Sequence, residues 1–167
     1  MSDPLHTESN LDELEGLGLI PAVTTFAADK VTHQVTAVMG QQTLLGTERL
    51  DDALSGYEIH MGRTEFVGPV SPAFVISQRS GQVVAFDDGV VSADGLVMGT
   101  YIHGIFENDG YRRALLDALR SRKGLPAIAG ETVSYMERKE AAYDRLAELV
   151  RANLDMAHVR RVMGLES

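Results

Sequence analysis

The chain of 167 residues contains no cysteine. That excludes disulfides, thiolate metal sites and any thiol nucleophile supplied by the chain itself. Positive charge is also scarce: 15 Lys and Arg stand against 24 Asp and Glu, a net charge of −9. Nucleic acids and anionic membranes select clustered positive charge, so neither is an expected partner. No apolar run nears the length that spans a bilayer. Met1 to Asn10 is polar and partly acidic and lacks the regions of a signal peptide, which makes the cytoplasm the expected location. Glycine-rich phosphate loops, internal repeats and low-complexity segments are absent. The histidines lack metal-ligand spacing, and His6, His33 and His158 read as ordinary polar positions. Asp87-Asp88 reads as turn chemistry and Asp51-Asp52 as a helix start, not as cation ligands. What remains is an ordinary globular composition, 44% apolar, in a chain of one-domain size.

Three stretches are expected: residues 1-10 as a disordered or loop N-terminus, 11-130 as the main domain, and 131-167 as a C-terminal helical extension. Leu11 to Glu15 reads as a helical turn or loop, Leu19 to Phe26 as a strand with an irregular entry, and Val31 to Val38 as a Val- and Thr-rich strand. Gln41 to Ala53 is ambiguous. Tyr57 to Met61 alternates with period two. Phe74 to Ser77 and Val83 to Phe86 are short strands around Ser80-Gly81, and Asp88-Gly89 and Asp94-Gly95 are turn signals. Asn108 or Asp109 opens a helix that Gly124 closes. Ser134 with Glu137 forms a capping box for a second helix, with a break near Asn153-Leu154-Asp155 and an end near Met163.

His103 is the residue of most chemical interest. Gly95 to Ile102 is almost wholly apolar or small and reads as a central, parallel strand buried on both faces. His103 then lies at a strand's carboxyl end, where open α/β sheets bind ligands, with Gly104 giving close access to the backbone. A plain strand-ending histidine is the equal alternative. Glu58 and His60 share one strand face, roughly 6.5 Å apart, with Tyr57, Ile59 and Met61 on the other. They read either as a pocket-shaping pair or as a surface ion pair worth under about 1 kcal/mol.

The stretch Gly99-Thr100-Tyr101-Ile102-His103-Gly104-Ile105-Phe106-Glu107-Asn108 resembles the histidine motif of the cobyric acid synthase type of glutamine amidotransferase. Gly56-Tyr57-Glu58-Ile59-His60-Met61-Gly62 resembles a second motif of that family. Gly16 to Pro21, with Thr24-Thr25-Phe26, Lys30-Val31-Thr32 and Gln34-Val35, resembles a third, and Asp3-Pro4 with Glu8-Ser9 fits the stretch before it. The motifs run in order from about Asp3 to the C-terminal helix. The family's cysteine nucleophile sits on a strand-to-helix turn just upstream of the Asp3-Pro4 match, and this chain has none.

The resemblance implies an α/β fold: a truncated class I glutamine amidotransferase-like (flavodoxin-like) three-layer domain with hairpin insertions and C-terminal helices. It assigns His103 as the catalytic base and Tyr57, Glu58 and His60 to substrate binding. Ile105 stands where related enzymes carry an acidic residue that orients the histidine. Glu107 could orient the ring, but a helix-start charge or loop contact suits it better. Glutamine is the implied substrate, with a synthetase domain or the absent N-terminal segment as partner. No cofactor is expected in this chain; ATP and magnesium belong to a separate upstream domain that amidates a corrinoid. The Gly56 to Gly62 motif favours this branch over the cobyrinate a,c-diamide synthase type, which stays open. So does a non-catalytic binding module that lost its nucleophile, and with it the question whether the chain alone is an enzyme. An apolar strand stripped of neighbours predicts self-association, a homodimer first of all.

Overall fold

A computed structural model describes residues 1–165. The chain divides into two compact units, Met1–Gly130 and Glu131–Ser167. The first unit is carried by two long strands, β1 (Ala22–Met39) and β2 (Leu54–Phe66), rich in the β-branched residues that suit a pleated surface. They pair antiparallel from Ala22 opposite Phe66 to Ala37 opposite Leu54. The two stretches expected as separate strands, 19–26 and 31–38, are one strand whose register shifts between Phe26 and Val31. At its C-terminal end the period of two is plain: Val35, Ala37 and Met39 are buried while Thr36 and Val38 are only partly covered.

β3 (Phe74–Arg79) and β4 (Gln82–Asp88) form a hairpin over Ser80 and Gly81, whose φ values of 47° and 79° fit a tight two-residue turn matched to strand twist. β5 (Val90–Val91) pairs with β6 (Met98–Gly99) as a small separate ribbon. β7 (Ile102–His103) joins the outer side of β2. The main sheet therefore runs β4-β3-β1-β2-β7, and each of its pairings is antiparallel.

The mixed α/β class holds, but the strand expected over Gly95 to Ile102 does not. It is neither continuous, nor parallel, nor buried on both faces: two two-residue strands flank Thr100-Tyr101, and Leu96 is 48% exposed. Side chains take the hydrogen bonds that a ladder would have taken. The Asp88 carboxylate accepts from the Thr100 hydroxyl and the Tyr101 amide, and Thr100 Oγ1 accepts the Ile102 amide. Upstream, Ser92 Oγ accepts the Leu96 and Val97 amides. Leu11 to Glu15 is a loop, one of the two forms expected of it. One other expectation fails: Asp51-Asp52 leads into β2, not into a helix.

The core lies under the sheet, where Phe74, Ile76 and Tyr111 are the largest fully buried side chains. Phe74 and Tyr111 meet edge to face at 5.9 Å, the arrangement their ring quadrupoles favour. Tyr111 belongs to α1 (Asp109–Arg122), which packs its start on the sheet through Asn108. That side chain does not cap the helix. Its Oδ1 accepts the Ser55 amide and its Nδ2 donates to the Ser55 and Ile105 carbonyls, tying the segment after His103 to β2. Gly124, at φ 67°, ends the helix with Leu125 donating back to the Arg120 carbonyl.

In the second unit, Ser134 accepts the Glu137 amide at the start of α2 (Tyr135–Asn153). The helix breaks at Leu154, and Asp155 caps α3 (Met156–Val162) by accepting the His158 amide. Neither helix has a buried residue. Among the described residues, no helix is long and apolar enough to cross a membrane.

Asp3 anchors the N-terminal loop. It is buried, and its carboxylate accepts the amides of Thr7, Glu8 and Ser9, each at 2.8 Å. Burial pushes its carboxyl up, but the Glu8, Thr7 and Ser9 amides outweigh it and hold the group below its ordinary value of 3.8. A depressed acid stabilises the fold above its ordinary value, and that contribution is lost as pH falls through the depressed one. Asp3→Asn is therefore expected to lower the denaturant midpoint at pH 7, and the gap from the parent chain should close as pH drops below 3.8. Equal gaps at both ends of the range would show that the charge does not matter.

Candidate functional site

Because β7 pairs antiparallel with β2, Tyr57 stands directly opposite His103 and Glu58 opposite Ile102. The Tyr57 and His103 rings stack, with centroids 5.1 Å apart and planes within 9°. The imidazole is exposed, and among the described residues no hydrogen bond holds its ring nitrogens. Gly104 follows at φ 76°, in the left-handed region, and turns the chain into a short 3-10 segment at Ile105–Glu107. The Glu107 carboxyl and the Tyr57 ring both lie 3.7 Å from where a Gly104 side chain would begin. His103, Gly104, Phe106 and Glu107 face a cavity of about 630 Å³ with Leu44 and Met98. An accessible imidazole on a fixed aromatic plate, beside a turn of open backbone, suits proton transfer to a bound molecule.

Gly56 sets how closely β7 approaches. A Cβ there would lie 2.5 Å from Ile102 Cγ2 and 2.6 Å from the His103 carbonyl oxygen. Both contacts are too close for any side chain, so Gly56→Ala must push β7 outward. We expect a loss of about 1–3 kcal/mol, as overpacking gives, seen as a lower melting temperature. The ring-current shift of Tyr57 on the His103 proton resonances should also fall. An unchanged His103 spectrum would mean that β7 is not fixed by this contact.

Glu58 and His60 point to the other face of β2, away from Tyr57, as a period of two requires. They line a second cavity of about 440 Å³ with Arg79, Asp88, Tyr101 and the apolar Ile20, Phe66, Phe86 and Val90. Glu58 is 2% exposed, so this is no surface ion pair. Arg79 grips its Oε2 with both Nε (2.8 Å) and Nη2 (2.7 Å), and the guanidinium lies 4.5 Å over the Phe86 ring. His60 stacks on Tyr101 at 4.0 Å, and its Nδ1 lies 2.9 Å from the Gly62 carbonyl oxygen. The Tyr101 hydroxyl meets Thr64 Oγ1 at 2.7 Å, which meets Thr24 Oγ1 at 2.7 Å. Burial pushes the neighbouring Asp88 carboxyl above its ordinary range, with the Thr100 and Tyr101 hydrogen bonds opposing and the charge on Glu58 adding to the rise.

The structure thus brings Tyr57 together with His103 and places Glu58 and His60 in a separate cavity. Gly99 and Thr100 line both. Arg79, Asp88 and Tyr101 are the wall residues that sequence reasoning missed. Tyr101 sits inside the histidine motif, two residues before His103, and its place there was the available signal. Asp88 reads as a turn residue, so its burial gave no sign in one dimension, and no local pattern marks Arg79 as the partner of Glu58.

Residues 1–111 match the family model described as the CobB/CobQ-like glutamine amidotransferase domain. The cobyric acid synthase of Syntrophobacter fumaroxidans is 46% identical over 167 residues, covering 99% of this chain and 32% of that protein. The cobyric acid synthase of Sorangium cellulosum is 45% identical over 176 residues, covering 99% of this chain and 34% of its own length. That of Thermoanaerobacter sp. is 42% identical over 165 residues, covering 98% and 32%. The chain spans about a third of the length of the curated relatives it matches.

Proposed function

Because this chain belongs to the CobB/CobQ-like glutamine amidotransferase domain family, we propose that it supplies the acid–base half of a glutaminase site within a cobyric acid synthase. The observation that carries the reading is the exposed His103 imidazole, held flat on Tyr57 at the mouth of a cavity. Glutamine hydrolysis needs a thiolate to attack the side-chain carboxamide. Imidazole takes the thiol proton, then returns it to the departing ammonia. In this reading His103 is that base and Tyr57 a wall of the glutamine pocket. The thiol comes from outside these 167 residues, since the chain holds no cysteine.

In this reading the ammonia then goes to a synthetase domain, and the motif resemblance makes that domain one that spends ATP with magnesium to amidate carboxylates of a corrinoid. That acceptor rests on kinship alone; it is the family match, with 37–46% identity to cobyric acid synthases, that supports it. The accessible imidazole, stacked on Tyr57 at the mouth of a cavity, favours the catalytic reading over a non-catalytic module.

The 167-residue chain alone is expected to release no glutamate from glutamine. The measurement is coupled glutamate detection on fractions across the final purification column. Turnover that follows the protein peak would overturn the reading, because it would require a nucleophile other than cysteine.

A further inference from the structure

The Glu58–His60 cavity has a hydrogen-bonding imbalance that the glutaminase reading does not use. The Gly62 carbonyl can only accept, so His60 Nδ1 carries the proton in that contact. The neutral ring then presents Nε2 as an acceptor. It lies 3.9 Å from Glu58 Oε1, too far for a hydrogen bond between them even when the ring is charged. Arg79 spends its contacts on the other oxygen, Oε2. Tyr101, which covers the imidazole face, directs its hydroxyl to Thr64. Among the described residues no donor reaches Oε1 or Nε2, and neither is a buried atom lacking a partner: both stay open to the cavity.

Two acceptors, one of them charged, therefore open side by side into a cavity. A single nitrogen about 2.9 Å from each can donate one hydrogen to Oε1 and another to Nε2. The surrounding charge has the matching sign: Glu58, Asp87 and Asp88 line the space against Arg79 alone when His60 is neutral. The remaining wall is apolar and aromatic, with Ile20, Phe66, Phe86 and Val90. About 440 Å³ is far more than one ammonium ion fills and falls in the range of small-molecule pockets. Aromatic faces also favour a cation.

We propose that this cavity is a binding site for a small organic primary ammonium compound, whose –NH₃⁺ head bridges Glu58 Oε1 and His60 Nε2 while its hydrocarbon body lies against Phe66, Phe86 and Ile20. The assignment uses neither His103 nor the cavity at His103, although Glu58 and His60 are also residues that the sequence resemblance gives to substrate binding.

The test is a proton NMR titration of the full 167-residue chain at pH 8, following the His60 ring resonances. Propylammonium chloride is the probe; sodium chloride, ammonium chloride, tetramethylammonium chloride and sodium propionate are matched for ionic strength. The expected result is a saturable His60 shift with propylammonium and none with tetramethylammonium, which has the charge but no N–H. Ammonium chloride should need about tenfold more to reach its midpoint, reflecting the absent hydrocarbon contact. Equal midpoints for ammonium and propylammonium would overturn the organic part of the assignment. Saturation by tetramethylammonium, or by propionate at lower concentration through Arg79, would overturn the acceptor pair as the site. No saturable shift with propylammonium would overturn the proposal outright. Glu58→Gln should raise the propylammonium midpoint about tenfold. Ile20→Phe, which fills the cavity without touching the acceptors, should do the same and stands in if Glu58→Gln fails to fold. The Tyr57-shifted His103 resonances report folding in each variant, and a folded Ile20→Phe chain with an unchanged midpoint would place the amine elsewhere.

Discussion

Replacing His103 with alanine in a full-length cobyric acid synthase that carries this domain is expected to cut glutamine-dependent amidation by about 10²–10⁴-fold, the usual weight of general acid–base catalysis. Amidation driven by added ammonium salt should largely persist, because the residue's proposed task ends when ammonia is released. The split follows from where His103 sits. Its ring is exposed at the end of β7 and touches Tyr57, so its loss removes a proton carrier without opening the core. Tyr111, Phe74 and Ile76, which hold the sheet together, lie elsewhere. The measurement is a pair of initial rates, one with glutamine and one with ammonium chloride, on the same preparation. A near-normal glutamine rate would remove His103 from the base role. Equal loss of both rates would mean that the substitution damages the fold or the synthetase, not the glutaminase step.

Arg79→Met should be the most destabilising single change near the second cavity. It leaves the buried Glu58 carboxylate without the guanidinium that takes its Oε2, and a buried charge stripped of its partner costs about 3–5 kcal/mol. The double variant Glu58→Gln/Arg79→Met should recover much of that loss, since a neutral amide costs less to bury than an ion. Urea unfolding of the parent, both single variants and the double completes the cycle and isolates the coupling between the two residues. A loss below about 1 kcal/mol for Arg79→Met would show the pair to behave as a solvated surface bridge.

The parts of the fold that were legible in the sequence are those decided by neighbours in the chain. Alternation from Tyr57 to Met61 marks β2, Ser80-Gly81 marks the hairpin, Gly124 ends α1, and Ser134 with Glu137 starts α2. Each depends on contacts a few residues apart, so local chemistry decides it. The stretch from Gly95 to Ile102 was misread because its outcome depends on Asp88, whose carboxylate interrupts the ladder at Thr100 and Tyr101. An apolar run alone does not distinguish a buried central strand from two short antiparallel pieces divided by a side-chain clamp.

The candidate site divides in the same way. His103 and the motif that carries it were visible from residue type and order. That Tyr57 faces His103 while Glu58 and His60 face away is implied by period two once β2 and β7 are known to pair. The pairing itself joins residues far apart in sequence, and only the structure supplies it. The Arg79 partnership has the same origin: β1 lies between β2 and β3 in the sheet, and the guanidinium reaches across that strand to Glu58.

Glutamate release on recombination tests the central claim most directly. The 167-residue chain would be mixed with a separately expressed, cysteine-bearing N-terminal part of a cobyric acid synthase, and glutamine hydrolysis followed over time. The account predicts that neither partner releases glutamate alone, that the mixture does, and that His103→Ala in this chain abolishes the mixture's activity. Undiminished release by the mixture carrying His103→Ala would contradict it.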